Sequence, residues 1–581
     1  MTVSNDDLRV RPGRIRDRGA GARPKRFVGQ VLKAANKAGY VAPRRAGRAA
    51  RFGRGTAFTE SRLMDSSRRV LVKARVVRHR GRTFRSAALA THVAYLKREG
   101  VTRDGEKARM FDAENDHADE KAFAKRCEED RHHFRFVVSP EDAADMTDLK
   151  GFARDLVANM ERDLSTKLDW VGVDHWNTDN PHIHLLVRGK TDDGRDLVIN
   201  RDYISRGIRS CAQELVTIEL GPKSEREVRS ALEREVEADR WTRLDAAIQR
   251  ASDETGLIDL RLEAGGESRP EMRKFIVGRL QRLERMGLAS TPGPSQWIVA
   301  THVERTLRHL GVRGDIIKTM HRAMAGQGIP RGVADYAIHD EHDAAAIVGR
   351  LVSKGLHDEL TGEAYVVIDG VDGRSHYVRF PDINAVEYTP AAGGIVEVRH
   401  VVGDASGQPR AFLALRSDLT IQEQVRATGA TWLDHQLVVR EPVSLSQGGF
   451  GQEIRQALEA RINHLAEKGL ARRTAQRVVF ARDLIETLRR RELDATASKL
   501  ESENALPYKR CSEGETVAGI YRQRIDLASG RFAMIGDGLA FALVPWRPAL
   551  ERRLGRQVSG FVMPGGGVKW EFGRQRGIGG P

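Results

Sequence analysis

Cysteine is nearly absent from this chain. Its 581 residues include three, Cys127, Cys211 and Cys511, far apart and odd in number. That usage excludes a disulfide framework and a cysteine-rich zinc site, and it fits a reducing cytoplasm. No run of 18 apolar residues occurs, so no segment reads as a membrane span and no membrane insertion is expected. The opening "MTVSNDDLRVRPGR" lacks the apolar core of a secretory signal, and Asp6, Asp7 and several Gly and Pro argue against an organellar leader. No Gly-x-x-x-x-Gly-Lys-Ser/Thr occurs anywhere, which excludes a P-loop motor on this chain.

Positive charge is plentiful but uneven. The formal net charge is +16, and residues 1–69 hold 18 Lys and Arg against 5 Asp and Glu, a local net of +13. Such an excess points to a polyanion, most often nucleic acid. The stretches "RPGRIRDRGAGARPKRF" and "APRRAGRAARFGRG" mix Arg, Gly and Pro without a hydrophobic period. They cannot bury enough apolar surface to offset ordering, so 1–69 reads as a basic flexible arm that contacts phosphates.

A first folded domain is expected over 70–222. "VLVKARVVRH" alternates Val70, Val72, Ala74 and Val76 on one face, the pattern of a half-buried strand. "SAALATHVAYLKREG" reads as a helix with Leu89, Val93 and Leu96 inward. "HHFRFVVS" is a second strand, and "TDLKGFARDLVANMERDLST" is an amphipathic helix with Thr147 as its expected cap. "DWVGVDHW" and "HIHLLVRG" are strands joined by "NTDNP", followed by a helix over 201–220. Strands that neighbour each other through short loops imply antiparallel pairing with helices laid on the sheet, an α+β domain.

Beyond it we expect a charged helical linker (223–253), a winged-helix-like unit (254–325), a β-rich domain (326–450), a second winged-helix-like unit (451–505) and a β-rich C-terminal domain (506–581). A weak internal duplication aligns Leu280, Leu283, Gly287, Leu288 and Ala289 with Ile462, Leu465, Gly469, Leu470 and Ala471.

The chemistry concentrates in "HWNTDNPHIHLLVRG" (175–189). His182 and His184 are two residues apart on a strand and leave the same face, while the turn at 177–181 folds His175 back beside them. A lone His-x-His is more often satisfied by hydrogen bonds. Three convergent imidazoles with open coordination positions suit a catalytic metal. By intrinsic affinity such a site takes Zn, Cu or Ni.

"HWNTDNPHIHLLV" resembles the His-rich third motif of conjugative relaxases, the mobilisation nucleases of the two-histidine (HUH) endonuclease class. It looks closest to the plasmid-mobilisation branch that includes the relaxase nicking T-DNA borders. His175, Asp179, Pro181, His182 and His184 match that pattern position by position; Asn177 stands where an acidic residue is common. "VAYLKREGV" matches the segment of the family's catalytic tyrosine through Tyr95, Leu96, Arg98 and Gly100, and Ser139 matches a serine beside the cut. The resemblance covers about residues 70–220. It implies Tyr95 as nucleophile, with Tyr203 and Tyr40 as fallbacks, and Asp179 as a helper that orients a histidine or takes the tyrosine proton. His175, His182 and His184 become metal ligands, and Ser139, Arg98 and Asn177 contact DNA. His92, three residues before Tyr95, is expected to pack.

The implied working ion is Mg²⁺ or Mn²⁺, with Zn²⁺ as the alternative. The implied activity is nicking of one strand at a transfer origin, leaving a 5′-phosphotyrosine link, in a bacterial cytoplasm. Expected partners are single-stranded or extruded origin DNA, accessory origin-binding proteins and a transfer coupling protein. A rolling-circle replication initiator shares the chemistry. A non-catalytic DNA-binding regulator would use the winged helices and the basic arm, its histidine cluster being structural. A hydrolytic metallonuclease would have water, and not Tyr95, as the attacking group.

Overall fold

The computed structural model describes residues 65–79, 89, 92–97, 102–103, 107–176, 180–252, 256–260, 270–339, 346–402, 409–474, 477–564 and 566–571. The basic arm up to residue 64, Arg98, Asn177 and Asp179 lie outside them. The chain forms two compact units, Met1–Gly311 and Val312–Pro581. Both are α+β, with largely antiparallel sheets. Among the described residues, no helix is long and apolar enough to cross a membrane.

In the first unit, β1 (Val70–Arg78), β2 (His132–Pro140), β3 (Trp170–His175) and β4 (His182–Arg188) form one sheet in the order β1-β2-β4-β3. Every neighbouring pair is antiparallel. Strand β1 alternates as its sequence dictates over its first half, with Val70 and Val72 buried and Leu71, Lys73 and Arg75 exposed. Ala74 is only half-buried, however, and Val76, expected inward, is exposed. Strands β3 and β4 are buried almost throughout because both of their faces are covered, and their apolar runs are correspondingly continuous.

Helices α1 (Glu120–Arg126), α2 (Leu149–Leu164) and α3 (Ile208–Leu220) divide between these faces. On one face Val70, Phe134, Phe136, Ile183 and Leu185 pack with Leu156 and Met160 of α2 and with Ile208 and Val216 of α3. On the other, Val171, Val173 and Leu186 pack with Phe123 of α1 and with Leu89, Val93 and Leu96. Residues 92–96 are helical.

Local details differ from expectation. The cap of α2 is Asp148, whose carboxylate accepts from Gly151 N–H, while Thr147 donates its hydroxyl to Glu219. The helix expected over 201–220 is continuous, and it contains a π-helical turn, Tyr203–Gly207. Arg68, counted with the flexible arm, is buried. Its backbone N–H donates to Thr217 Oγ1 at 2.9 Å and its guanidinium reaches Gly221 O, Asp142 and Glu227. Order therefore begins upstream of the first strand, because a buried guanidinium must be satisfied by fixed acceptors.

The stretch read as a charged linker is helical and has a core of its own. Helices α4 (Glu225–Glu237) and α5 (Arg243–Ala251) bury Val228, Leu232, Leu244 and Ala247 with Met272. Next come β5 (Leu257–Asp259), α6 (Pro270–Arg285), β6 (Ala289–Gly293) and β7 (Gln296–Val299). The three strands order as β5-β7-β6. Leu280, Leu283, Trp297, Val303 and Leu307 form the core here, the last two from the start of α7 (Val303–Gly326).

The second unit holds a six-stranded sheet of β8 (Tyr336–His339), β9 (Ile347–Asp358), β10 (Glu363–Gly370), β11 (Ser375–Phe380), β12 (Ile395–Val402) and β13 (Pro409–Ser417). Its order is β13-β12-β9-β10-β11-β8, antiparallel except for β11 with β8. Asp369 at the end of β10 is fully buried between Arg331 and Arg350 (3.0 and 2.8 Å). Helices α8 (Ile421–Arg426), α9 (Trp432–Val438) and α10 (Gly449–Glu467) follow, then β14 (Ala471–Arg473), β15 (Val478–Phe480) and α11 (Leu484–Asn504). The chain closes in a five-stranded antiparallel sheet over 516–571.

The stretches 225–326 and 421–504 repeat one arrangement of helices, hairpin and long helix. In the first, buried Arg279 clasps Asp245 at 2.8 and 2.9 Å and donates to the carbonyls of Val236, Ala238 and Arg240. In the second, buried Arg461 clasps Asp434 at 2.8 and 2.7 Å and donates to Val425, Ala427 and Gly429. Each aspartate also closes a capping box, with Thr242 and Thr431 respectively. Gly287 and Gly469 end the arginine helices at φ of 71° and 70°, a conformation natural to glycine. Leu288 and Leu470 then donate to Leu283 and Leu465, both at 2.8 Å.

Candidate metal and nucleic-acid site

Alternation along β4 sends His182 and His184 to one face, and the register sets His175 directly opposite His182. All three are buried. Their ring centroids lie 5.3 Å (His175–His182), 4.6 Å (His175–His184) and 4.9 Å (His182–His184) apart. One ring nitrogen of each falls within 4.8 Å of the others.

Hydrogen bonds select which nitrogens can ligate. His182 Nδ1 lies 3.0 Å from Asn180 O, which places the proton there and the lone pair on Nε2. His175 Nε2 lies 2.7 Å from Leu96 O, so His175 keeps its lone pair on Nδ1. The Nε2 atoms of His182 and His184 stand 3.1 Å apart. Metal–nitrogen bonds of ~2.1 Å put neighbouring ligand nitrogens ~3.0 Å apart at right angles and ~3.4 Å apart in a tetrahedron, so this spacing fits a shared divalent ion. The outer hydrogen bonds to Asn180 O and Leu96 O are of the kind that fix a ligating imidazole's orientation.

The bond to Leu96 ties the cluster to the helical segment of Tyr95, which is half-buried. His92, one turn back, is buried beside Val93. Ser139 leaves β2 on the histidine face, and its hydroxyl donates to Pro181 O at 3.4 Å, next to His182. Tyr203 packs on the opposite face and donates to Asp163 at 2.9 Å, which removes it as a fallback nucleophile for this cluster. Tyr40, Arg98, Asn177 and Asp179 lie outside the described residues, so the structure places the three histidines, Tyr95 and Ser139 only.

Two neighbours escaped the sequence reading. On the histidine face, one register row runs Lys73, Val137, His184, Val173 and the next runs Arg75, Arg135, Leu186, Val171. Lys73 and Arg75 are exposed, so the covered half of this face holds histidines and the β1 half presents cations. The alternation of "VLVKARVVR" contained that signal; the strand order that brings it to the cluster did not show in the sequence.

Farther along the same face, Arg135 Nε donates to His133 Nε2 at 3.1 Å and His133 Nδ1 lies 2.6 Å from His79 Nε2. His79 Nδ1 reaches Asp130 O at 3.0 Å, and the Asp130 carboxylate takes Arg188 at 2.7 and 3.1 Å. Burial first, then the charge of Arg135, holds the His133 pKa well below the usual histidine value. Because His133 Nε2 accepts from Arg135, the ring carries its proton on Nδ1 and donates it to His79 Nε2, and His79 donates its own Nδ1 proton to Asp130 O.

No curated protein and no solved structure matches the chain. The family model described as "Protein of unknown function (DUF3363)" matches residues 276–411 and 402–579, which begin after the histidine-bearing sheet. Those matches span more than half of the chain, and the protein belongs to that family.

Proposed function

We propose that the N-terminal sheet is a metal-assisted DNA-nicking site and that the protein is a relaxase acting at a transfer origin. The observation that carries this reading is the bond from His175 to Leu96, which joins a three-imidazole cluster to the residue beside Tyr95. His175, His182 and His184 would hold a divalent ion, Mg²⁺ or Mn²⁺ by resemblance, with Zn²⁺ as the alternative. That ion would supply positive charge for a phosphate oxygen.

Tyr95 is the nucleophile in this reading. A phenol has a pKa of about 10, so attack requires that its proton leave to a base. Asp179 is assigned that task or the orientation of a histidine. A bond forms between the tyrosine oxygen and phosphorus as the bond to the DNA 3′-oxygen breaks. The leaving oxygen takes a proton, and the 5′-phosphate stays on the protein. Reversal rejoins the strand without ATP, since one phosphodiester replaces another.

Lys73 and Arg75 would hold backbone phosphates beside the cluster, with Ser139, Arg98 and Asn177 at the cut. The two repeated modules, each with a helix followed by a hairpin, read as winged helices that add DNA or protein contacts. Origin DNA, origin-binding proteins and a coupling protein would be the partners, at a site inside the bacterial cytoplasm.

The test is an adduct assay. Protein is mixed with single-stranded DNA from the region upstream of its gene, in Mn²⁺ or EDTA, and denatured in detergent. A metal-dependent covalent adduct that maps to Tyr95 and vanishes in Tyr95→Phe supports the proposal. Nicked DNA without adduct, persisting in Tyr95→Phe, makes water the nucleophile. Binding with neither nick nor adduct indicates a regulator. Transfer of a plasmid bearing the nicked sequence separates a relaxase from a replication initiator.

A further inference from the structure

The repeated module keeps its interior and changes its hairpin. Residues 289–300 of the first copy, "ASTPGPSQWIVA", carry no charged side chain. The matching residues 471–482 of the second, "ARRTAQRVVFAR", carry Arg472, Arg473, Arg477 and Arg482 and no acid. All four arginines are exposed. Arg473 meets Glu459 at 2.6 Å in a pair exposed on both sides, which is worth little in water. Among the described residues, Arg472, Arg477 and Arg482 have no carboxylate partner.

The hairpin that presents them is fixed at its base and closed near its tip. Ala471 pairs with Phe480 and both pack against the core of Leu465, Leu470 and Leu484. Ala481 N–H donates to Leu470 O at 2.9 Å, and Thr474 donates from both its N–H and its hydroxyl to Arg477 O. The two-stranded ribbon thus presents Arg472, Arg473 and Arg477 at the surface, with Arg482 just beyond its second strand, and of the four only Arg473 meets a carboxylate among the described residues.

We infer that Arg472, Arg473, Arg477 and Arg482 on this hairpin bind the phosphate backbone of duplex DNA, a role absent from its neutral counterpart at 289–300. Guanidinium groups bind phosphates in a forked geometry, and a rigid ribbon loses little freedom in doing so. Single strands are held by basic grooves lined with stacking aromatics. The only aromatic in this hairpin, Phe480, is packed into the core. The contact is sequence-independent, because phosphates carry no sequence information. This assignment does not rest on the nuclease reading.

The experiment uses the full chain carrying Tyr95→Phe, in EDTA, so that nicking plays no part. Binding to a labelled random duplex of about 25 base pairs is followed across roughly 50–200 mM salt. Replacing the four arginines by glutamine should lower the slope of log affinity against log salt by about 3.6, four phosphate contacts at ~0.9 each. Affinity at low salt should fall at least about tenfold with it. A second measurement is local: a photo-crosslinker on Thr474→Cys should capture the duplex, and one on Thr291→Cys in the first hairpin should not. An unchanged slope with no capture at 474 overturns the inference. So does arginine-dependent binding confined to single strands, RNA duplexes or anionic lipid vesicles.

Discussion

His175 donates its Nε2 proton to the carbonyl oxygen of Leu96 at 2.7 Å, across 79 positions of sequence. The carbonyl belongs to the residue after Tyr95, so the strand's histidine and the tyrosine's helical segment share one hydrogen bond. It also settles the tautomer of His175, and with it which nitrogen faces His182 and His184.

If these imidazoles share an ion, His182→Ala or His184→Ala should weaken Mn²⁺ or Co²⁺ binding by more than the ~10–100-fold typical of an outer-sphere change. Titration followed by the Co²⁺ absorption band or by calorimetry measures this. Saturating metal should raise the melting temperature of the parent protein, by mass action worth about 2.7 kcal/mol at a hundredfold excess over Kd. The variants should lose that increment. An equal rise in the variants would place the ion elsewhere.

If the sheet takes single-stranded DNA, Lys73 and Arg75 predict a charge effect on its binding. The double change to Gln should reduce the salt dependence of single-strand binding by about 1.4 in slope, two contacts at ~0.7 each. The metal titration should not move, since β2 stands between β1 and the strand of His182 and His184. A variant indistinguishable from parent in the salt series would leave this face without a role in substrate binding.

The paired arginine clasps predict matched stability losses. Arg279→Met strands Asp245 in the core and removes the donor to three carbonyls, and Arg461→Met does the same to Asp434. Breaking a buried pair from one side costs about 3–5 kcal/mol. Both variants should unfold at clearly lower urea concentration. A marked difference between them would show that the two modules share a shape without sharing energetics.

His133 sets an acid limit on stability. Its folded-state pKa is lowered by burial and by Arg135, with His79 and His132 adding in the same direction. A group so depressed contributes stability above its unfolded pKa and loses it as the pH falls below that value. Between the unfolded value near 6.5 and the lower folded one, the loss is about 1.4 kcal/mol per pH unit. Denaturation curves in EDTA at falling pH should show this slope in the parent and a shallower one in His133→Gln. Parallel curves would mean that the ring does not control acid unfolding.

Strand positions and the convergence of three histidines could be read directly, because period-2 alternation and a short turn leave one geometry for His175, His182 and His184. The duplication was legible only from Leu280 and Ile462 onward. The buried arginines one position earlier, and the Thr-x-Leu-Asp at 242–245 and 431–434, have the composition of a solvated face until their partners in distant helices are known. Arg68 shows the same limit, since a charged residue beside a flexible arm reads as solvated whatever it anchors. Charge is the property whose burial a single sequence reports least well, as its cost is cancelled by partners far along the chain.

The guanidinium clasp also bears on how such a chain changes over time. One side chain satisfies an aspartate and three carbonyls at the junction of three helices, so the junction is specified without help from the surface. A hairpin attached to that frame is free to drift, gaining or shedding cations at small cost to the interior. The module behaves as an interchangeable mount: copied once, it could keep its fixture and be refitted for a different load.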